Sequence, residues 1–279
     1  MKIGFVGLGI MGKAMADNLT KQSGQPVYVY DHHQTNIDCL VHQGAHACAS
    51  SREVVKNADV IFTSVPTAAS VAEVHAEAYP VIKQGQIFAD LSTISPKDSV
   101  ALGKKLAEHG AIFLDVPVVK SKQQAIDGTL GIYVGGPKAS YERIKPLLEI
   151  LGSDIIYVGE AGKGITMKIL HNMLVGEIQN GVNELMLLAE KNDINWQTFL
   201  QAISIGGANN FYLQTKAENI GKRNFATAFS VKNMRKDVKI AQQLAQDAKL
   251  NLPGINLVND VYRDAVNHQL SDLDFFGVI

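Results

Sequence analysis

The stretch that most constrains this chain lies at its start, residues 3–31, IGFVGLGIMGKAMADNLTKQSGQPVYVYD. The apolar run 3–6 predicts a strand that meets Gly7-Leu8-Gly9-Ile10-Met11-Gly12 at once. A helical pattern follows over 13–21, then a second apolar run, 27–30, that ends in Asp31. Strand, glycine turn, helix, strand and acid in that order is the layout of a dinucleotide site. Gly7 allows the tight turn, Gly9 lets the backbone approach a pyrophosphate, and Gly12 lets the helix pack close to the strand. The free N–H groups at the helix start then face the phosphates. Asp31, 19 residues beyond Gly12, is suited to accept hydrogen bonds from both adenosine ribose hydroxyls and to repel a 2′-phosphate. No Arg or Lys follows it closely, although a protonated His32 or His33 can pair with phosphate. NAD is the expected cofactor, with NADP as the alternative.

The rhythm of short apolar strand and helix continues. Strands are predicted at 59–63, 86–90, 112–115, 130–134 and 154–158. Helical patterns lie between them, including 96–108, for which Ser95 is a suitable N-cap, and a segment around 140–151. Alternating β and α units predict a doubly wound α/β fold, a parallel sheet with helices on both faces. The pattern changes near Gly159. From 164 to about 192 there is no proline and a long helical rhythm through Ile165, Ile169, Met173, Val182, Leu185, Met186 and Leu188. Helical patterns over 196–203, 210–218, 231–249 and 253–267 complete the chain. The boundary is expected near residue 160, with a nucleotide-binding domain over 1–160 and an all-helical domain over 161–279.

Net charge is −1, so nothing in the composition suggests a nucleic-acid or anionic-membrane partner. No apolar run reaches the ~18 residues that span a bilayer. The N-terminus enters a strand directly, leaving no room for a signal peptide. Cys39 and Cys48 lack metal-ligand spacing and fit buried free thiols in a reducing cytoplasm.

Ligands on an open α/β sheet sit beyond the carboxyl ends of the strands. That rule selects residues 7–12, Asp31, Val65-Pro66, Ser92-Thr93 and the stretch after Asp115. Lys168 is the other notable charge, on an otherwise apolar part of the long helix. His171 and Asn172, at i+3 and i+4, share its side of the helix, at the domain boundary where a substrate pocket is expected. A Lys there can serve as general acid or base toward a hydroxyl, with Asn172 orienting the same group. From spacing alone, a lysine near a helix start reads more readily as a solvated surface charge.

The stretch 5–19, FVGLGIMGKAMADNL, resembles the N-terminal signature of the β-hydroxyacid dehydrogenases, a family that includes 3-hydroxyisobutyrate dehydrogenase and tartronate semialdehyde reductase. The resemblance covers essentially the whole chain. It extends to Asp115-Val116-Pro117-Val118, to Gly128-Thr129-Leu130 with Gly135-Gly136, to Gly162-Lys163-Gly164 followed by Lys168 and Asn172, and to 225–237 ending Lys236-Asp237. It implies that Lys168 is the catalytic acid/base and that Asn172 orients the substrate. It further implies that Val65, Pro66, Thr93 and Lys236 contact the cofactor, and that the substrate is a small anionic hydroxy acid or semialdehyde. Homodimers or homotetramers are implied in the same way.

Two departures stand out. Most of the family follows Asp-x-Pro-Val with Ser-Gly-Gly, whereas this chain has Val119-Lys120-Ser121. Sulfolactaldehyde reductase is similar in carrying a basic residue here. Lys120, with Ser121, is therefore expected near a sulfonate, a phosphate or a second carboxylate, with an ordinary carboxylate contact or a solvent-facing role as alternatives. His171 stands where many members have Asn, as in the 6-phosphogluconate enzymes, and is counted among the substrate-side residues. The remaining histidines form no metal-ligand cluster in sequence. The competing class is a non-catalytic NAD(P)-sensing module of the same fold, which loss of the lysine or an appended reader domain would support.

Overall fold

The structure, a computed structural model, describes residues 1–278. In chain order its elements are β1 (Ile3–Val6), α1 (Ile10–Gln22), β2 (Val27–Tyr30), α2 (Gln34–Val41), β3 (His46–Ala47), α3 (Ser51–Asn57), β4 (Val60–Thr63) and α4 (Ala68–Ala78). There follow β5 (Ile87–Asp90), α5 (Pro96–Glu108), β6 (Ile112–Asp115), β7 (Val118–Val119), α6 (Lys122–Ile126), β8 (Leu130–Gly135), α7 (Lys138–Leu151) and β9 (Gly152–Gly159). The chain ends with α8 (Lys163–Lys191), α9 (Trp196–Ser204), α10 (Phe211–Gly221), α11 (Val231–Asp247) and α12 (Pro253–Asn267). None of these helices is long and apolar enough to cross a membrane.

The chain forms two compact units, Met1–Lys168 and Ile169–Ile279. The division between these units falls inside α8. The reason is a clamp at the helix start. The Asp115 carboxylate, at the end of β6, accepts the N–H groups of Gly162 and Ile165, each at 2.7 Å. The first turns of α8 are thereby tied to the sheet.

In the first unit the strand order is β3-β2-β1-β4-β5-β6-β8-β7, with β9 also paired to β8. The six strands from β3 to β6 are parallel. The direction then reverses, because β8 runs antiparallel to β6 and β7, and β9 pairs with β8 in parallel. Only Val116 and Pro117 separate β6 from β7, and α6 is the one short helix before β8. Only residues 120–129, ten in all, join β7 to β8, and a parallel crossover needs a dozen or more, so the chain returns antiparallel. The two-residue strands β3 and β7 are too short to show as apolar runs.

Alternation along the strands builds two cores. Val60 and Phe62 of β4 pack in one cluster with Met15, Leu19 and Leu148. Ile61, between them, points into the other with Val55, Val71 and Leu106. Both faces of the sheet are therefore covered by helices, as a doubly wound fold requires. Ser95 caps α5 as expected, its hydroxyl accepting the Asp98 N–H at 3.0 Å. Cys48 is buried, whereas Cys39 is exposed. His75 is fully buried against the Phe88 ring, and burial pushes its pKa down to about 4, so it is a neutral packing ring.

The second unit is helical. Helix α8 has 29 residues, about 43 Å at 1.5 Å per residue. Ile169, Met173, Val182 and Met186 on its buried side join Leu213, Met234, Val238, Val258 and Tyr262 in one core. The Tyr262 hydroxyl donates to the Phe275 carbonyl at 3.0 Å, which fixes the C-terminal segment on that core.

Candidate cofactor and active site

The glycine turn is built by close approach. Gly7 sits at φ +92, and a Cβ on it would lie 2.3 Å from the Ser64 carbonyl oxygen. A Cβ on Gly12 would lie 2.0 Å from the Gly7 oxygen. Around Gly9 the opposite holds, since a Cβ there meets nothing within 4 Å. Gly9 is also the N-cap of α1 and carries no capping side chain. The first-turn N–H groups of α1, which have no partner within the helix, therefore border open space at the carboxyl end of β1. This arrangement fits a pyrophosphate.

Asp31 serves this turn directly. Its Oδ2 accepts the Leu8 N–H at 2.6 Å, and its Oδ1 accepts the His33 N–H at 2.8 Å. Each carboxylate oxygen can accept more than one hydrogen bond, so Asp31 keeps capacity for ribose hydroxyls. Ile10 is 63% exposed at the mouth of the turn. Val65 and Thr93 are half-buried and Pro66 is exposed. The loops after β4 and β5 that carry them are joined, because the Val65 N–H donates to Ser92 Oγ at 3.0 Å.

Beneath these loops lies a polar row. Thr63, Asp90 and Asp115 are register partners across β4, β5 and β6. The Thr63 hydroxyl donates to Asp90 Oδ1 at 2.6 Å, and the Ser92 N–H donates to the same oxygen at 3.1 Å. Burial pushes the Asp90 carboxyl up to about 6 despite these bonds, and repulsion from Asp115 adds to the rise. Burial also raises Asp115, opposed by the N–H groups of Gly162 and Ile165.

Lys168 is half-buried, one turn beyond Gly164 on the same side of α8. Gly164 faces the sheet edge closely, since a Cβ there would lie 2.8 Å from both the Asp115 oxygen and the Gly135 nitrogen. Asn172, a further turn on, is buried, and its Nδ2 donates to Asp237 Oδ2 at 2.6 Å. His171 is half-buried. Lys236 lies on α11 with Nζ 3.6 Å from Asp237 Oδ1.

Lys120 has an unusual backbone and two partners of its own. It adopts φ +83, the left-handed region that glycine enters freely, at a position where most of the resembled family has glycine. Its Nζ donates to Asp154 Oδ2 and to the Thr129 carbonyl, both at 2.7 Å. The Lys120 bonds hold the Asp154 carboxyl below its usual range. The loop cation thus already faces an internal anion, a partner 34 residues away in sequence. Ser121 is exposed and takes part in a capping box with Gln124 at the start of α6. Sequence reasoning also missed Asn18. This buried side chain donates from Nδ2 to the Ala125 and Ile126 carbonyls at 2.9 and 3.2 Å, tying the cofactor helix to the end of α6. Its place in the 5–19 signature was the only signal of it.

A family model described as the NAD binding domain of 6-phosphogluconate dehydrogenase matches residues 2–159. A second, described as NAD-binding of NADP-dependent 3-hydroxyisobutyrate dehydrogenase, matches residues 162–279. Glyoxylate/succinic semialdehyde reductase 1 of Arabidopsis thaliana is 34% identical, spanning 100% of this chain and 97% of that protein. 2-Hydroxy-3-oxopropionate reductase of Escherichia coli (strain K12) is also 34% identical, spanning 100% and 96%. Among solved structures, the 3-hydroxyisobutyrate dehydrogenase of Mycobacterium tuberculosis with L-serine superposes with a TM-score of 0.92 at 29% identity, covering 99% of this chain and 97% of that one.

Proposed function

Because the chain belongs to the β-hydroxyacid dehydrogenase family of NAD(P)-dependent oxidoreductases, we propose that it interconverts a small β-hydroxy acid and its semialdehyde, with Lys168 as the acid/base. NAD(P), when bound, supplies or takes up the hydride. Lys168 handles the proton. In reduction its ammonium gives a proton to the substrate oxygen as negative charge develops there. In oxidation the neutral amine takes the hydroxyl proton. The same cation stabilises the oxygen's charge in either direction. The single observation supporting this role is the Asp115 clamp, which anchors the start of α8 to the carboxyl edge of the sheet, one turn from Lys168. Asn172 and His171 flank Lys168 on the substrate side, and Lys236 reaches the cofactor or the active site.

Gly7, Leu8, Gly9, Ile10, Met11 and Gly12 hold the pyrophosphate, and Val65, Pro66 and Thr93 border the nicotinamide half. Asp31 favours NAD over NADP, since a carboxylate accepts from ribose hydroxyls and repels a 2′-phosphate. A sulfonate, phosphate or second carboxylate on the substrate meets Lys120 and Ser121, with the tail taking the place of Asp154 at the Lys120 ammonium. Leu170, Leu174, Leu185 and Leu188 are all more than half exposed and fall within about 60° of one another around α8. This apolar stripe supports assembly into a homodimer or homotetramer. An exposed free thiol at Cys39 suits a reducing cytoplasm.

Lys168→Ala tests the assignment. Turnover should fall by about 10²–10⁴, the usual range for a general acid/base, while cofactor affinity measured by fluorescence titration stays within about twofold. Undiminished turnover would rule Lys168 out. The substrate is found with a panel of semialdehydes bearing carboxylate, sulfonate and phosphate tails, each tested with NADH and NADPH.

A further inference from the structure

The carboxylates of Asp90 and Asp115 stand on adjacent strands at the same level of the sheet edge, and each residue is only 2% exposed. The donors that hold them are neutral. Asp90 receives the Thr63 hydroxyl and the Ser92 N–H, and Asp115 receives the Gly162 and Ile165 N–H groups. Two buried carboxylates side by side, held by neutral groups, place negative potential at one point of the sheet edge. On α8, which packs there, Lys163 adjoins Gly164 and Lys168 lies one turn beyond it. Ser92 Oγ also accepts the Val65 N–H, so the pair lies directly under the loops that carry Val65 and Thr93.

The nicotinamide ring carries a positive charge when oxidised and none when reduced. We propose that the Asp90–Asp115 pair senses this charge and makes the protein bind the oxidised cofactor more tightly than the same pocket without the Asp90 charge would. The inference rests on the reading that Val65 and Thr93 border the nicotinamide half.

The test is equilibrium binding, which needs no turnover. Dissociation constants for NAD⁺, NADH and ADP-ribose are measured by calorimetry and fluorescence for the wild type and for Asp90→Asn. The amide keeps a carbonyl oxygen to accept from Thr63 and Ser92. The Kd for NAD⁺ should rise about tenfold, the order of effect one charge exerts over several ångströms at an effective dielectric near 20. The Kd values for NADH and for ADP-ribose, which lacks the ring, should move by less than about twofold. Equal weakening of NAD⁺ and NADH would make Asp90 a positioning residue only and overturn the inference, as would no change at all. Should the variant fold poorly, the wild type carries the test. Its preference for NAD⁺ over NADH should decline as pH falls through about 6, where Asp90 takes up a proton. A preference that stays flat between about pH 5 and 8 would overturn it equally. Failure of the Lys168 assignment shows instead as unchanged turnover in Lys168→Ala, a separate measurement.

Discussion

Gly164→Ala offers the sharpest probe of how α8, the helix that carries Lys168, is seated. The added methyl would lie 2.8 Å from the Asp115 carbonyl oxygen and from the Gly135 nitrogen, and 2.9 Å from Asp115 Oδ2. Ordinary contact begins at 3.4 Å, so the start of α8 must retreat by 0.6 Å, the difference between 3.4 and 2.8. The two 2.7 Å bonds from Gly162 and Ile165 to Asp115 would then stretch to about 3.3 Å, past the range of a good N–H···O bond. Overpacking costs about 1–3 kcal/mol, and the weakened bonds to a carboxylate add to that. Alanine returns at most about 1 kcal/mol of helix propensity. A net loss of about 1–3 kcal/mol is expected, or several degrees in Tm by calorimetry. Lys168 moves with the helix. A misplacement of 1 Å can reduce rate about 10²-fold, so 0.6 Å corresponds to about tenfold in kcat. The glycine turn of α1 is untouched, so the Kd for NADH should stay within about twofold. A variant with wild-type Tm and kcat would show that the clamp neither seats the helix nor positions Lys168.

Two further outcomes follow from the loops. Lys120→Gly removes an exposed, solvent-screened ion pair and relieves a left-handed φ costing about 1 kcal/mol, so Tm should hold or rise slightly. If the substrate tail meets Lys120, the same variant should raise KM several-fold for sulfonate- or phosphate-tailed semialdehydes and less for a neutral aldehyde, and equal KM changes across the panel would exclude that contact. Asp31→Ser should raise the Kd for NADH about tenfold, as expected for loss of charge-assisted bonds to ribose, and narrow the gap to NADPH. An unchanged NADH/NADPH ratio would mean that Asp31 only braces Leu8.

Local signals carried most of the fold. The strand at 3–6, the glycine turn, the Ser95 cap and the proline-free run of α8 each depend on neighbours within a few residues. The antiparallel return of β8 does not, since it is decided by how little chain separates β7 from β8. The site divides in the same way. The cofactor turn shows in its spacing, whereas the acid/base reading of Lys168 outweighs that of a solvated surface charge only through resemblance, because a lone lysine on a helix has no local mark of catalysis. The Lys120–Asp154 pair could not be read in advance. Val119 packs on Gly131, and a register shift between Leu130 and Gly131 sets Asp154 opposite Gly131. Only that three-dimensional pairing brings the two charges together. The row of Thr63, Asp90 and Asp115 was hidden likewise, since three strand ends 25 or more residues apart meet only in the sheet.

The Asn18 side chain bears on how the chain reaches this state. Its carbonyl partners lie 107 and 108 residues later, so these bonds have among the longest loop closures in the first unit. Contacts of such separation form slowly, because the intervening chain must first be organised. Helix α1 and the turn at Gly7–Gly12 can take shape from local sequence, but α6 cannot dock on α1 until the strands between them have paired. The glycine turn should therefore take shape before the segment around Lys120 is seated, and a nascent chain ending ahead of Ala125 would present Asn18 as an unpartnered amide on an otherwise apolar face.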